Sequence, residues 1–160
     1  YKCQAVPLAA MTPPPRVPAA ALGKDDYERL SHFRHRLRHF LRASELLCKK
    51  HGLTPLQYQL LLHVMGFPGR SWATVGELAE RLQAHHHGVV ALVDRCEAIG
   101  LLERRPGRHD QRTVEIHLLA KGEKVLARVA ALHQDELQRL LREFAAAAPA
   151  ATERMRHAGA

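Results

Sequence analysis

A mainly α-helical fold with one small β-hairpin is predicted by three features of the chain. Apolar residues recur at helical spacing over long stretches at 25–51 and 120–147, with a shorter, strongly apolar stretch from Pro55 to Gly66. Between Thr74 and Leu119 the pattern is helix, tight turn, helix, strand, arginine-rich loop, strand. Gly and capping residues stand at the ends that these patterns predict. Two short helices at this spacing, followed by a basic hairpin, make a winged helix-turn-helix. Its second helix fits a major groove, and its hairpin reaches an adjacent minor groove.

In chain order, residues 1–23 form a Pro/Ala-rich arm with Pro7, Pro13, Pro14, Pro15 and Pro18. Proline has no amide donor and blocks a helix, so the arm is extended. Its apolar run is short and Pro-interrupted, unlike a signal peptide. Met11 is a candidate start, which would make residues 1–10 an extension; the alternative is that they are native. Residues 24–52 hold the first long helix, with Leu30, Phe33, Leu37, Phe40, Leu41, Leu47 and Cys48 on its apolar stripe and Gly52 at its end. Residues 53–119 hold the winged domain. Thr54, Pro55 and Gln57 open a helix as N-cap, first-turn Pro and capping-box acceptor, and Gly66 closes it.

A short strand is expected at Ala73–Val75, with Trp72 packed at the wing base. Thr74 and Glu77 have capping-box spacing, so a helix begins at Val75. The next helix starts near His86 and buries Val89, Leu92, Val93, Cys96 and Ile99 on one face, before Gly100 stops it. Leu101–Arg105 and Thr113–Leu118 read as strands. Residues 120–160 are a last long helix and tail, with Leu126, Val129, Leu132, Leu137, Leu140, Leu141 and Phe144 in its stripe and a break at Pro149.

The chain has 160 residues, enough for one domain with a core, and 46% are apolar but 5% aromatic, so that core is built mainly of Leu, Val and Ala. No apolar run is long enough to span a membrane. The net charge of +8 suits a polyanionic partner. That charge is uneven. Residues 24–51 hold eight Lys and Arg against four acids, whereas 76–119 hold six Arg against seven acids. Four Arg fall against one Asp in 104–112, so the wing and the first helix supply the phosphate attraction.

The run LAERLQAHHHGVVALVDRCEAIGLLERRPGRHDQRTVEIHLLAKG, with GLTPLQYQLLLHV upstream, resembles the multiple-antibiotic-resistance regulator (MarR) family of bacterial transcription factors. The matching pieces are LAERL, LVDRCEAIGLLER, and the wing pattern Asp110-x-Arg112 leading into IHLLAKG. The resemblance covers roughly residues 25–145. It implies a homodimer built from the first and last long helices, a double-stranded DNA operator, a cytoplasmic repressor and often a small-molecule effector. Ala120 stands where the family usually places a capping Thr, a loss of about 1 kcal/mol.

On the family pattern His86, His87, Val90 and Ala91 face bases, and Arg95 lies further along the same helix. Neutral His can donate or accept a hydrogen bond, and Val can touch a thymine methyl. Many members carry Arg where this chain has Ala91. The alternative is that one of His85, His86 and His87 touches DNA while the others cap or stay solvated. Arg112 is the wing-tip Arg for the minor groove, Arg108 its neighbour, and Asp110 steadies the loop by pairing with a wing Arg. Arg104 and Arg105 either contact phosphate or cover the strand base. An effector site would lie among the first, second and last helices, with Leu37, Leu41, Tyr58, Leu62 and His63 as lining or as plain core.

The chain has twelve His. His32, His35 and His39 share one side of the first helix, but no Cys, Asp or Glu stands beside them at ligand spacing within that motif, and Arg34, Arg36 and Arg38 interleave. No metal and no cofactor are expected. Three Cys without a C-x-x-C pair fit a reducing cytoplasm. Cys96 reads as core filler. Peroxide-sensing relatives keep a Cys near the start of the first helix beside a Tyr; Tyr27 is present here without the Cys. No G-x-S-x-G, P-loop or H-E-x-x-H motif supports an enzyme. The alternative function is a winged-helix module that binds protein instead of DNA. That module would have no need for Arg108 and Arg112 around Asp110.

Overall fold

The computed structural model describes residues 22–107 and 113–147, with side chains of the last helix described as far as Arg142. Helix α1 runs Lys24–Lys50, α2 Pro55–Met65, α3 Val75–Arg81, α4 His86–Ala98 and α5 Ala120–Ala147. Strands β1 (Trp72–Thr74), β2 (Leu102–Pro106) and β3 (Val114–Leu118) form one antiparallel sheet in the order β1-β3-β2. The described residues from Arg36 onward make one compact unit, and those up to His35 make another. In the latter, Asp26 accepts from the Gly23 N–H at 2.9 Å and pairs with Arg29, which anchors the start of α1.

The expected caps form. Thr54 Oγ1 accepts from the Gln57 N–H at 3.2 Å, and Gln57 Oε1 accepts from the Thr54 N–H at 2.8 Å. Thr74 and Glu77 repeat the arrangement at the head of α3. Gly52 and Gly100 take φ of +75° and +71°, the left-handed conformation that stops α1 and α4.

Several details differ from expectation, among them the end of β2, which reaches Pro106 and not Arg105. Thr74 is extended, with φ −86° and ψ 160°, and Val75 already belongs to α3, so β1 is Trp72–Thr74 and not Ala73–Val75. Leu101 does not open β2, because its N–H turns back to the Cys96 carbonyl at 3.0 Å and completes the α4 cap. Thr113 precedes β3, which begins at Val114. Ile99 is the α4 C-cap and is 44% exposed instead of lying on the buried face.

The core of the larger unit lies where α2, α3, α4, the sheet and α5 meet. Leu60, Leu61, Val64, Leu78, Val93, Cys96, Leu102, Ile116 and Val129 are fully buried there. Burying side chains of this kind stabilises by about 1.5–3 kcal/mol each. In the sheet, Ala73, Ile116 and Arg104 are register partners in one row, and Trp72, His117 and Glu103 in the next. Opposed residues share a face, so Ala73 and Ile116 mark the core side. Trp72 and His117 stack on the other, at the wing base as expected.

The long helices are less covered than their sequence stripes suggest. On α5, Leu126, Val129 and Leu140 are buried, but Leu132, Leu137 and Leu141 are exposed. On α1, Leu41 and Leu46 are exposed, as are Leu30 and Phe33 nearer its start. Leu56 and Leu62 on α2 face solvent too.

Candidate nucleic-acid interface

The α3–α4 turn determines how α4 is presented. The Ala84 N–H returns to the Ala79 carbonyl at 3.0 Å, and Gln83 adopts φ 50° while its side-chain amide donates to the Glu80 carbonyl at 2.6 Å. Helix α4 then buries Val89, Leu92, Val93 and Cys96. Its first turn is left outside. His85, His86, His87 and Gly88 are exposed, Val90 and Ala91 are half-buried, and Arg95 is exposed. His85 is the N-cap residue but makes no side-chain cap bond, and no acid lies in the first turn. The early amides of α4 and the positive end of its dipole therefore face solvent unopposed. The His85 and His87 rings stack with centroids 5.6 Å apart.

The arginines divide into three groups. Arg104 points from β2 to α4, where Glu97 and Asp94 hold its guanidinium. Arg105 is half-exposed and pairs with Glu103 on its own strand, Nε to Oε1 at 2.6 Å. Arg108, Asp110 and Arg112 lie outside the described residues, as does His109.

Sequence reasoning passed over Arg70. Its guanidinium lies 4.2 Å from the Phe67 ring centroid and 3.8 Å from that of Trp72, and it pairs with Glu77. Arg81 covers Phe67 as well, at 4.4 Å. This stack ties the loop before β1 to the α3 cap. The available signal was the spacing of aromatic residues around Arg70 in FPGRSW.

The five effector-site candidates do not line one described cavity. Tyr58 is buried and stacks on His133, whose Nε2 meets Ser44 Oγ at 2.6 Å. Leu41 and Leu62 are exposed, and Leu37 and His63 are half-buried. Burial, with Arg81 nearby, pushes the His63 imidazole below its ordinary value. A cavity of about 500 Å³ lies elsewhere, between the loop at Gly69–Ser71, Arg105 and His117 of the sheet, and Glu123 of α5. Cys48 and Cys96 are fully buried, and burial pushes both thiols up, which opposes thiolate chemistry. Cys3 lies outside the described residues. Among the described residues no cluster of three or more His, Cys, Asp or Glu could hold a metal, and no helix is long and apolar enough to cross a membrane.

Comparison with known proteins agrees with this architecture. The MarR family model matches residues 51–113, from the end of α1 to the start of β3. YsmB of Bacillus subtilis, described as an uncharacterized HTH-type transcriptional regulator, is 31% identical over 84 residues. That match covers 49% of this chain, and the chain spans 58% of YsmB's length. A MarR family protein from Bacillus stearothermophilus superposes with a TM-score of 0.64 at 25% identity, over 86% of this chain and 94% of that one. A point mutant of S. aureus MepR, solved bound to an oligodeoxyribonucleotide, superposes with a TM-score of 0.55 at 21% identity, over 82% and 91%. The chain is thus similar in sequence to the MarR family of transcriptional regulators across its winged helix-turn-helix, residues 51–113, and similar in fold to a MarR family protein over most of its length.

Proposed function

We propose that this protein is a cytoplasmic DNA-binding transcriptional regulator, acting as a homodimer on a near-palindromic operator and released by a small-molecule effector. The observation that carries the reading is the outer surface of α4. Its buried face seats it on the core, while an exposed first turn free of acids presents His86 and His87, followed by the half-buried Val90 and Ala91. A helix so placed can enter a major groove with its N-terminal residues toward the bases. Arg108 and Arg112 of the wing are the minor-groove contacts, with Asp110 steadying the loop. The MepR–oligonucleotide structure supports the same class of partner.

Dimerisation is supported by the apolar side chains that α1 and α5 leave uncovered, among them Leu41, Leu132, Leu137 and Leu141. Single exposed apolar residues are ordinary, but repeated ones along a helix mark an interface. Two α4 helices in one dimer would meet half-sites about 10 bp apart. The effector would act by favouring a dimer whose α4 spacing does not fit those half-sites. Leu37, Leu41, Tyr58, Leu62 and His63 remain the proposed lining.

A gel shift with the promoter region upstream of the protein's own gene tests the reading. The wild type should retard that fragment in preference to a scrambled one. Arg112→Ala should weaken the shift while dimer and fold persist. Retardation of neither fragment would favour a module that binds protein, and equal retardation of both would contradict a specific operator.

A further inference from the structure

Arg104 occupies the row of the sheet that faces the core, as register partner of the buried Ile116. From there it reaches α4 by three bonds. Its Nη1 donates to Glu97 Oε2, its Nη2 to Asp94 Oδ1 at 2.5 Å, and its backbone N–H to Glu97 Oε1 at 2.9 Å. Glu97 thus holds both the strand and the side chain, and Asp94, one turn earlier on α4, holds the far side of the guanidinium. The side chain is 29% exposed. Charge-assisted bonds from a planar fork fix direction as well as distance.

We propose that Arg104 is a positioning residue for DNA reading: it contacts no DNA, and its hold on Asp94 and Glu97 sets where the wing stands relative to α4. The inference rests on the DNA-binding function proposed above. A duplex presents its major and minor grooves at a set offset, so helix and wing dock together at one mutual position. Arg104 also offsets one of the two carboxylate charges that α4 would otherwise bring toward phosphate. Arg105 differs, because its partner Glu103 lies on the same strand and its hold does not cross to α4.

The test uses the full-length protein as wild type, Glu97→Gln, Arg104→Met, and the double variant, which keeps the wild-type net charge. Affinity for the promoter fragment and for a scrambled duplex is titrated by fluorescence anisotropy from about 50 to about 200 mM salt. Glu97→Gln and Arg104→Met should each reduce the promoter-to-scrambled affinity ratio by about tenfold, and the double variant should lose no more than the larger single loss. Simple loss of stability would not move that ratio. The double variant should keep the wild-type salt slope, whereas removing a phosphate contact would lower it by about 0.9.

A lowered slope in the double variant, or an unchanged ratio in Glu97→Gln, would overturn the proposal. Amide hydrogen exchange without DNA separates this inference from the reading on which it rests. In Glu97→Gln the Arg104 and Arg105 amides should exchange about tenfold faster while α5 is unchanged. Unchanged exchange would overturn the bracket. A wild type that binds no duplex would overturn the DNA-binding function, with the exchange result still deciding the bracket.

Discussion

The rings of His133 on α5 and Tyr58 on α2 stack with centroids 4.6 Å apart and planes 18° from parallel. His133 Nδ1 lies 3.0 Å from the Val129 carbonyl, which can only accept, so Nδ1 carries the proton. In the neutral ring Nε2 then accepts from the Ser44 hydroxyl at 2.6 Å. Phe40 meets the same ring edge-on. One buried imidazole therefore joins α1, α2 and α5.

Removing the Ser44 hydroxyl strands a buried acceptor. Ser44→Ala should cost about 1–2 kcal/mol of stability, and His133→Ala, which also opens a cavity, about 3 kcal/mol. Urea unfolding at fixed protomer concentration reads both. Wild-type stability in Ser44→Ala would remove the hydroxyl from this account.

Two glycines should respond in opposite directions. A Cβ on Gly122 would lie 1.9 Å from the Leu101 carbonyl oxygen, so the first turn of α5 sits directly on the α4–β2 connection. Gly122→Ala should destabilise by about 3 kcal/mol. A Cβ on Gly88 meets nothing within 4 Å. Gly88→Ala should stabilise by about 0.5 kcal/mol through helix propensity, yet weaken duplex binding where the backbone approaches phosphate. Thermal unfolding and the gel shift separate the two effects, and Gly88→Ala that strengthens DNA binding would contradict the placement of this turn.

Glu77 gives a pH dependence. Burial pushes its carboxyl up, but hydrogen bonds from Thr74 and Arg70 outweigh burial and hold it below the ordinary carboxylate value. A depressed folded value contributes stability that is fully present above the unfolded value, about 4.3. It is lost as pH falls through the folded value. Glu77→Gln should therefore lose stability at neutral pH and show a shallower decline on acidification. Parallel pH–stability curves for the two proteins would remove Glu77 as an acid-sensitive tie.

What could be read from sequence was local. Thr54 with Gln57, and Thr74 with Glu77, announce helix starts because both partners lie within one turn. Gly52 and Gly100 announce stops because the left-handed conformation belongs to their own backbone. The sequence leaves Arg104 between two roles because its partners lie seven and ten residues away on another element, and sheet register decides which face it takes. His133 is not legible as core because a histidine interrupts an apolar stripe, although it lies four residues after Val129 and seven before Leu140. Ile99 follows the α4 periodicity, but the helix ends one residue earlier.

Hydroxyl-radical footprinting of the promoter fragment tests the central claim most directly. A homodimer presenting two α4 helices should protect two patches on one face of the duplex, their centres about 10 bp apart. Both should fade together in a His86→Ala, His87→Ala variant that remains dimeric. A single patch, uniform protection along the fragment, or a footprint unchanged in that variant would contradict it.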